Sequence, residues 1–260
     1  MIYFVPEAGE EYAAVGLKGG RMGYFASRSA PLGPVPADVV IATFFNFHPE
    51  LVRRAIPDAW SMASPADIIG ARFRAVDRAL RRLLGEDVVA GPEVAEAAEL
   101  AHLAADGCFP QGRPLYAGHS ALPWPAEPHL ELWHATSLLR EFRGDGHIAA
   151  LVASGIGPCE ALVLYGAVGE FPKDLLQATR AWPADEWAAT EQSLTERGLL
   201  DGDGSLTDEG ARLRQQVEDT TDLAAMAPWE HLGQDGSDRL LELGRPLSKS
   251  LVDNGGFPIG

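Results

Sequence analysis

The densest set of side chains able to move protons or hold a ligand lies between positions 119 and 147. It comprises His119, His129, Glu131, His134, Arg140, Glu141, Arg143, Asp145 and His147. Histidine titrates near neutral pH, so an imidazole oriented by a carboxylate is a natural general base. Arg143-Gly144-Asp145-Gly146-His147 reads as a turn between two helices. There Asp145 either orients His147 or simply caps the helix that His147 begins. Glu131 and His134, three apart, share one helix face with Glu141. Glu and His so spaced ligate metals in helical bundles when a second helix matches them. Glu131, His134 and His147 therefore define a metal-dependent enzyme as the weakest of three readings. An ordinary helix face explains the same spacing more simply, and no metal is assigned.

A second group combines aromatic and sparse polar residues: Tyr24, Phe25, Arg28, Phe44, Phe45, Asn46, Phe47 and His48. That mixture suits a small-molecule pocket, and equally a plain aromatic core. The candidate catalytic residues are His134, His147 and Asp145. The candidate ligand-binding residues are Tyr24, Arg28, Asn46, His119 and Arg140. No Ser/His/Asp nucleophile motif, dinucleotide fingerprint or phosphate loop occurs, and Gly16-Leu17-Lys18-Gly19-Gly20 lacks the spacing of one. The cofactor stays unknown.

Helices must position these groups. Ser64 can cap a helix, with Pro65 in its first turn. Ile68, Ile69, Phe73, Val76, Leu80, Leu83 and Leu84 then recur at helical steps. Arg72, Arg74, Arg78, Arg81 and Arg82 fall on the expected wet side. Further helices are expected over 92–105, 129–142, from 147, from 157 through 164, and over 172–181, 183–197, 207–223 and 237–252. The tail Gly255-Gly256-Phe257-Pro258 is expected to fray.

The chain carries a net charge of −16, which disfavours phosphate backbones. Nothing approaches the ~20 apolar residues that span a bilayer, and the start lacks the basic lead of a signal peptide. A cytoplasmic protein without a membrane partner is expected. Cys108 and Cys159 are isolated thiols with no metal-binding spacing.

Phe25-Ala26-Ser27-Arg28-Ser29-Ala30 resembles Tyr116-Ala117-Gly118-His119-Ser120-Ala121. Ser64-Pro65-Ala66-Asp67 likewise resembles Trp182-Pro183-Ala184-Asp185. We read a diverged duplication, with Arg28 facing its counterpart His119 across a cleft between repeats. The segment LTERGLLDGDGSLTDEGARLRQQVEDTTD shows a helix, a Gly198 stop, a tight Asp201-Gly202-Asp203-Gly204 turn and a further helix. It resembles the helix–wing–helix of winged-helix proteins of the multiple-antibiotic-resistance-regulator (MarR) type. Nearly the whole chain is similar to a little-characterised actinobacterial family labelled helix-turn-helix or MarR-like, whose members often carry histidine where Arg143 stands. That resemblance implies a fold and no activity.

The expected fold is mainly α: two winged-helix-like repeats with small β-hairpin wings, plus a C-terminal helix. The expected division is 1–109, 113–225 and 226–260, the last a dimerisation or capping element. Between Pro172 and Asp222, five basic residues face twelve acidic ones. Asp201 and Asp203 occupy the wing tip, where a DNA binder places cations. The favoured reading is a small-molecule binder or enzyme, in bacterial specialised metabolism, on a scaffold that has lost DNA binding. A ligand-responsive MarR-like regulator is the rival. Expected partners are a small molecule and a second copy of the chain, with nucleic acid disfavoured.

Overall fold

The computed structural model describes residues 2–256. Fifteen α-helices follow one another among them. They are α1 (Pro6–Ala14), α2 (Met22–Ser29), α3 (Ala37–Phe44), α4 (Pro49–Arg53), α5 (Ala59–Met62), α6 (Pro65–Leu84), α7 (Glu86–Val89) and α8 (Pro92–Asp106). Then come α9 (Pro114–Ser120), α10 (Pro128–Ala153), α11 (Pro158–Ala167), α12 (Lys173–Arg180), α13 (Ala184–Glu196), α14 (Asp208–Ala224) and α15 (Ala227–Asp253). Short 3₁₀ turns at Ile2–Phe4 and Ala30–Leu32 complete the set. Of the tail expected to fray, Gly255 and Gly256 are bonded back to α15, the Gly256 N–H to the Leu251 carbonyl at 2.7 Å, and Phe257 and Pro258 lie outside the described residues.

The chain forms two compact units. Unit 1 takes 1–36, 55–142 and 225–260, and unit 2 takes 37–54 and 143–224. Each is thus assembled from segments distant in sequence.

In unit 1, α6 is the central helix, and α1, α2 and α15 pack on it. The Ser64 hydroxyl accepts the Asp67 N–H at 3.1 Å, and Gly85 at φ 87° ends the helix. Its buried stripe includes Ile68, Val76, Ala79 and Leu83. Phe73 and Trp133 pack around Val76, Leu80 and Leu130. The last helix, α15, lies along α8 and breaks at Gly233, whose φ is 79°.

Unit 2 has an apolar core of Leu162, Val163, Leu176, Trp187, Leu194, Leu199 and Val217 with their neighbours. Helix α11 packs on both α12 and α13. Between α12 and α13 the chain turns at Ala181, a left-handed residue at φ 59°. The Trp182 indole steadies that turn by donating to the Asn46 carbonyl at 2.9 Å.

Two expectations fail. The β-hairpin wings do not form, because no strand exists among the described residues. The Asp201–Gly204 turn is closed by one antiparallel bridge, Leu200↔Leu206. Its arms are too short to build a ladder, and Thr207 at once caps α14 by accepting the Gly210 N–H. The supposed turn at Gly144-Asp145-Gly146 is interior to α10, which runs unbroken from Pro128 to Ala153. Each glycine costs a helix about 1 kcal/mol, and burial of Leu138, Phe142, Ala150 and Leu151 on either side outweighs it.

Candidate functional site

A cluster of polar side chains in unit 1 gathers around Glu141 and Arg72. Helix α2 supplies Tyr24 and Arg28, α6 supplies Arg72, α9 supplies His119, and α10 supplies His134, Arg140 and Glu141. Arg28 Nη2 donates to both Glu141 oxygens, at 3.1 and 2.8 Å, and its Nη1 donates to the Tyr24 hydroxyl at 2.6 Å. Arg140 Nη2 donates to Glu141 Oε1 and, at 3.4 Å, to the Tyr3 hydroxyl. A single carboxylate therefore serves two guanidiniums.

Arg72 stands beside this pair, only 1% exposed. Its Nη1 donates to the Ser27 carbonyl at 2.9 Å and meets His119 Nε2 at 3.0 Å. The His119 Nδ1 faces the Leu115 carbonyl at 2.9 Å. A carbonyl only accepts, so Nδ1 carries the proton and Nε2 accepts from Arg72. His119 is accordingly neutral: burial, reinforced by the Arg72 charge, pulls its pKa down to about 3. The Arg72 Nε and Nη2 have no hydrogen-bond partner. Burial lowers its pKa too, but a guanidinium starts so high that it keeps its charge at neutral pH. Burial also disfavours ionised Glu141, yet Arg28 and Arg140 outweigh that and hold it below the ordinary glutamate value.

His134 is fully buried, and neither ring nitrogen has a hydrogen-bond partner. Trp124 meets it edge-on at 4.9 Å, and Phe73 lies 6.0 Å away. Burial, then the Arg72 and His102 charges, lowers its pKa to about 4. An unpaired polar ring inside a protein costs free energy.

Of the residues singled out by sequence, Tyr24, Arg28, His119 and Arg140 join this cluster, and the Arg72 field reaches His134. Arg28 and His119 come together through Glu141 and Arg72, not as a facing pair: both lie in unit 1. Asn46, Asp145 and His147 belong to unit 2. Positions two apart on a helix do not face each other, so Asp145 cannot orient His147. The His147 Nδ1 instead meets the Thr221 hydroxyl at 2.9 Å. Glu131 meets His102 Nδ1 at 2.6 Å. Among the described residues no three His, Cys, Asp or Glu side chains converge as metal ligands.

Arg72 corrects the expectation of a wet arginine. Its signal was present in the chain: Ile68, Arg72, Val76 and Leu80 follow one another at steps of four, a single buried helical row.

Two adjoining hollows open beside the cluster. One, about 310 Å³, is lined by Tyr3, Leu80, Leu83, Trp133, Thr136, Ser137 and Arg140 with Leu251 and Gly256. The other, about 770 Å³, runs between α6, α8, α10 and α15 and is walled mainly by leucines, Trp133 and Trp229. Leu80, Trp133, Thr136 and Leu251 line both.

In unit 2, α12, a turn through Ala181 and α13 follow one another in the order helix, turn, helix. A family model described as a helix-turn-helix family matches residues 1–258. The chain belongs to that helix-turn-helix family. No curated protein and no solved structure matches it. No single helix among the described residues is long and apolar enough to cross a membrane.

The helix-turn-helix surface itself is acidic. Helix α13 exposes Asp185, Glu186, Gln192 and Glu196, and the following turn exposes Asp201 and Asp203. Nearby cations are engaged: Lys173 with the Gly204 carbonyl and Glu191, Arg197 with Glu160, Arg212 with Glu209. Across unit 2, eight basic residues stand against seventeen acidic ones.

Proposed function

We propose that this protein binds a small organic molecule in unit 1 and that its helix-turn-helix no longer grips DNA. The observation that carries the reading is the acidic second helix of that motif. A groove-reading helix approaches phosphates closely and draws most of its affinity from neutralising them. Asp185, Glu186 and Glu196 do the opposite, and Asp201 and Asp203 extend the repulsion to the adjoining turn. The ligand-binding half of the proposal draws support from the hollows beside Arg140, whose volumes and apolar walls suit small molecules. Tyr24 and Arg28 reach that region only through Glu141, which Arg28 shares with Arg140, His119 and His134 stand neutral in the cluster, and Arg72 supplies charge beside Trp133. The proposed site draws on unit 1, whereas Asn46, Asp145 and His147 belong to unit 2.

The rival is a ligand-responsive transcriptional regulator, and membership of a helix-turn-helix family speaks for it. Fluorescence anisotropy with random duplex DNA at low salt separates the readings. We expect no binding at micromolar protein, while a thermal-shift screen of apolar metabolites raises the melting temperature. Tight, salt-sensitive DNA binding overturns the proposal in favour of the regulator.

A further inference from the structure

The geometry points to an amphiphilic monocarboxylate as the ligand, its head held by Arg140 and Tyr3 and its apolar body laid along Leu80, Trp133 and Leu251. This rests on the small-molecule reading and narrows it to one chemical class.

Charge balance selects the head. Glu141 is shared between Arg28 and Arg140, and among the charges acting most strongly on Arg72 it is the one carboxylate. Three guanidiniums and one carboxylate leave this interior positive inside a chain of net charge −16. The Arg72 guanidinium lies over the Trp133 ring at 5.3 Å, so its field reaches the wall that the two hollows share. An anion there relieves an imbalance that a neutral ligand leaves standing and a cation worsens.

Donors are at hand. Arg140 spends only Nη2 on Glu141 and Tyr3, which leaves Nε and Nη1 for a carboxylate. The Tyr3 hydroxyl accepts from Arg140, so its own proton is available to donate. In the smaller hollow Arg140 is the one cation of the lining, and with one phenol it matches a monoanion; Arg245 lines the larger hollow. The body is selected by the walls: the larger hollow is lined mainly by leucines, Trp133 and Trp229, with His129, Ser237, Arg245 and Ser248 among them, and continues from the smaller through Leu80, Trp133 and Leu251. Burying a methylene there is worth about 0.8 kcal/mol.

The test is calorimetric titration of the full chain with decanoate, decanol and decylamine, each below its aggregation concentration. Decanoate is expected to bind at least about tenfold more tightly than decanol, the equivalent of one charge-assisted hydrogen bond, with decylamine weakest. Arg140→Gln should reduce decanoate to the level of decanol while the chain still melts cooperatively at a modestly lower temperature, because Glu141 keeps both bonds from Arg28. Gly244→Phe fills the larger hollow, since a Cβ at Gly244 meets open space, and should remove binding of decanoate and decanol alike. Equal affinities for decanoate and decanol, or an Arg140→Gln variant that binds decanoate normally, overturn the carboxylate assignment and leave the small-molecule reading standing. Failure of all the probes to bind overturns both at this site.

Discussion

Units 1 and 2 are both helical, yet they handle charge in opposite ways. Unit 1 carries Arg28, Arg72, Arg113, His119, His134 and Glu141 into its interior. Unit 2 surrounds an apolar core with exposed acids and, Asp145 and Thr221 apart, buries few polar side chains. Burying a charge costs several kcal/mol unless it is paired, so a fold that does so repeatedly in one place is not arranged for stability alone. The contrast is what favours placing the proposed ligand in unit 1 and not on the acidic helix-turn-helix.

The strongest way to break that contrast is to unpair a charge in each unit. Glu141→Gln leaves Arg28 buried without its carboxylate and should cost about 3–5 kcal/mol by urea unfolding. Glu50→Gln, which removes an exposed partner of Arg53 in unit 2, should change stability by less than about 0.5 kcal/mol. Similar costs at both positions would erase the distinction.

Acidification gives the next largest effect. His119 and His134 are held near 3 and 4 when folded, against 6.5 for an ordinary histidine. Between those limits the unfolded chain takes up protons that the folded chain refuses, so stability falls as pH falls. The slope reaches about 1.4 kcal/mol per pH unit for each residue. Glu141, whose folded pKa is lowered, adds its own loss below the ordinary glutamate range. Urea midpoints measured from neutral pH to about pH 5 check this; a flat profile would mean that both imidazoles are hydrated.

Recharging unit 2 sharpens the comparison from the other side. Glu186→Lys with Asp201→Lys and Asp203→Lys should confer weak, non-specific DNA binding that the native chain lacks. Its logarithmic salt slope should steepen by about 0.9 for each phosphate newly contacted. No gain would show that shape, and not charge, bars DNA. The smallest effect expected is at His134: His134→Leu removes the two unpaired ring nitrogens and should raise stability by about 1 kcal/mol in the same urea assay. A loss instead would reveal a partner for that ring.

Much of the helical layout was legible from local signals. Ser64-Pro65, Gly91-Pro92, Gly157-Pro158 and the stop at Gly198 mark helix ends through capping and backbone preference alone, and α6, α8 and α11 to α14 lie close to where those signals put them. Three features were not legible. The glycines flanking Asp145 look like a turn until the packing on both sides of α10 is known. The hairpin wing looks plausible until its arms prove too short to pair beyond Leu200 and Leu206. Arg72 looks solvated by residue type, although its register with Ile68 and Val76 argued otherwise.

The candidate site was half readable. Tyr24, Arg28, His119, His134 and Arg140 were recognisable as chemistry-bearing residues. Nothing in their order told that Glu141 would join Arg28 to Arg140, or that Asn46, Asp145 and His147 would fall in another unit.

By itself the sequence determined the helices, their caps, the acidic balance of the helix-turn-helix and the absence of a recognised catalytic motif. These depend on neighbours a few residues away or on summed charge. Only the tertiary structure decided which arginine lost its water, which carboxylate was shared, and where the hollows opened. Those outcomes depend on which distant helices exclude solvent together, and desolvation is a property of the packed molecule, not of any segment of chain.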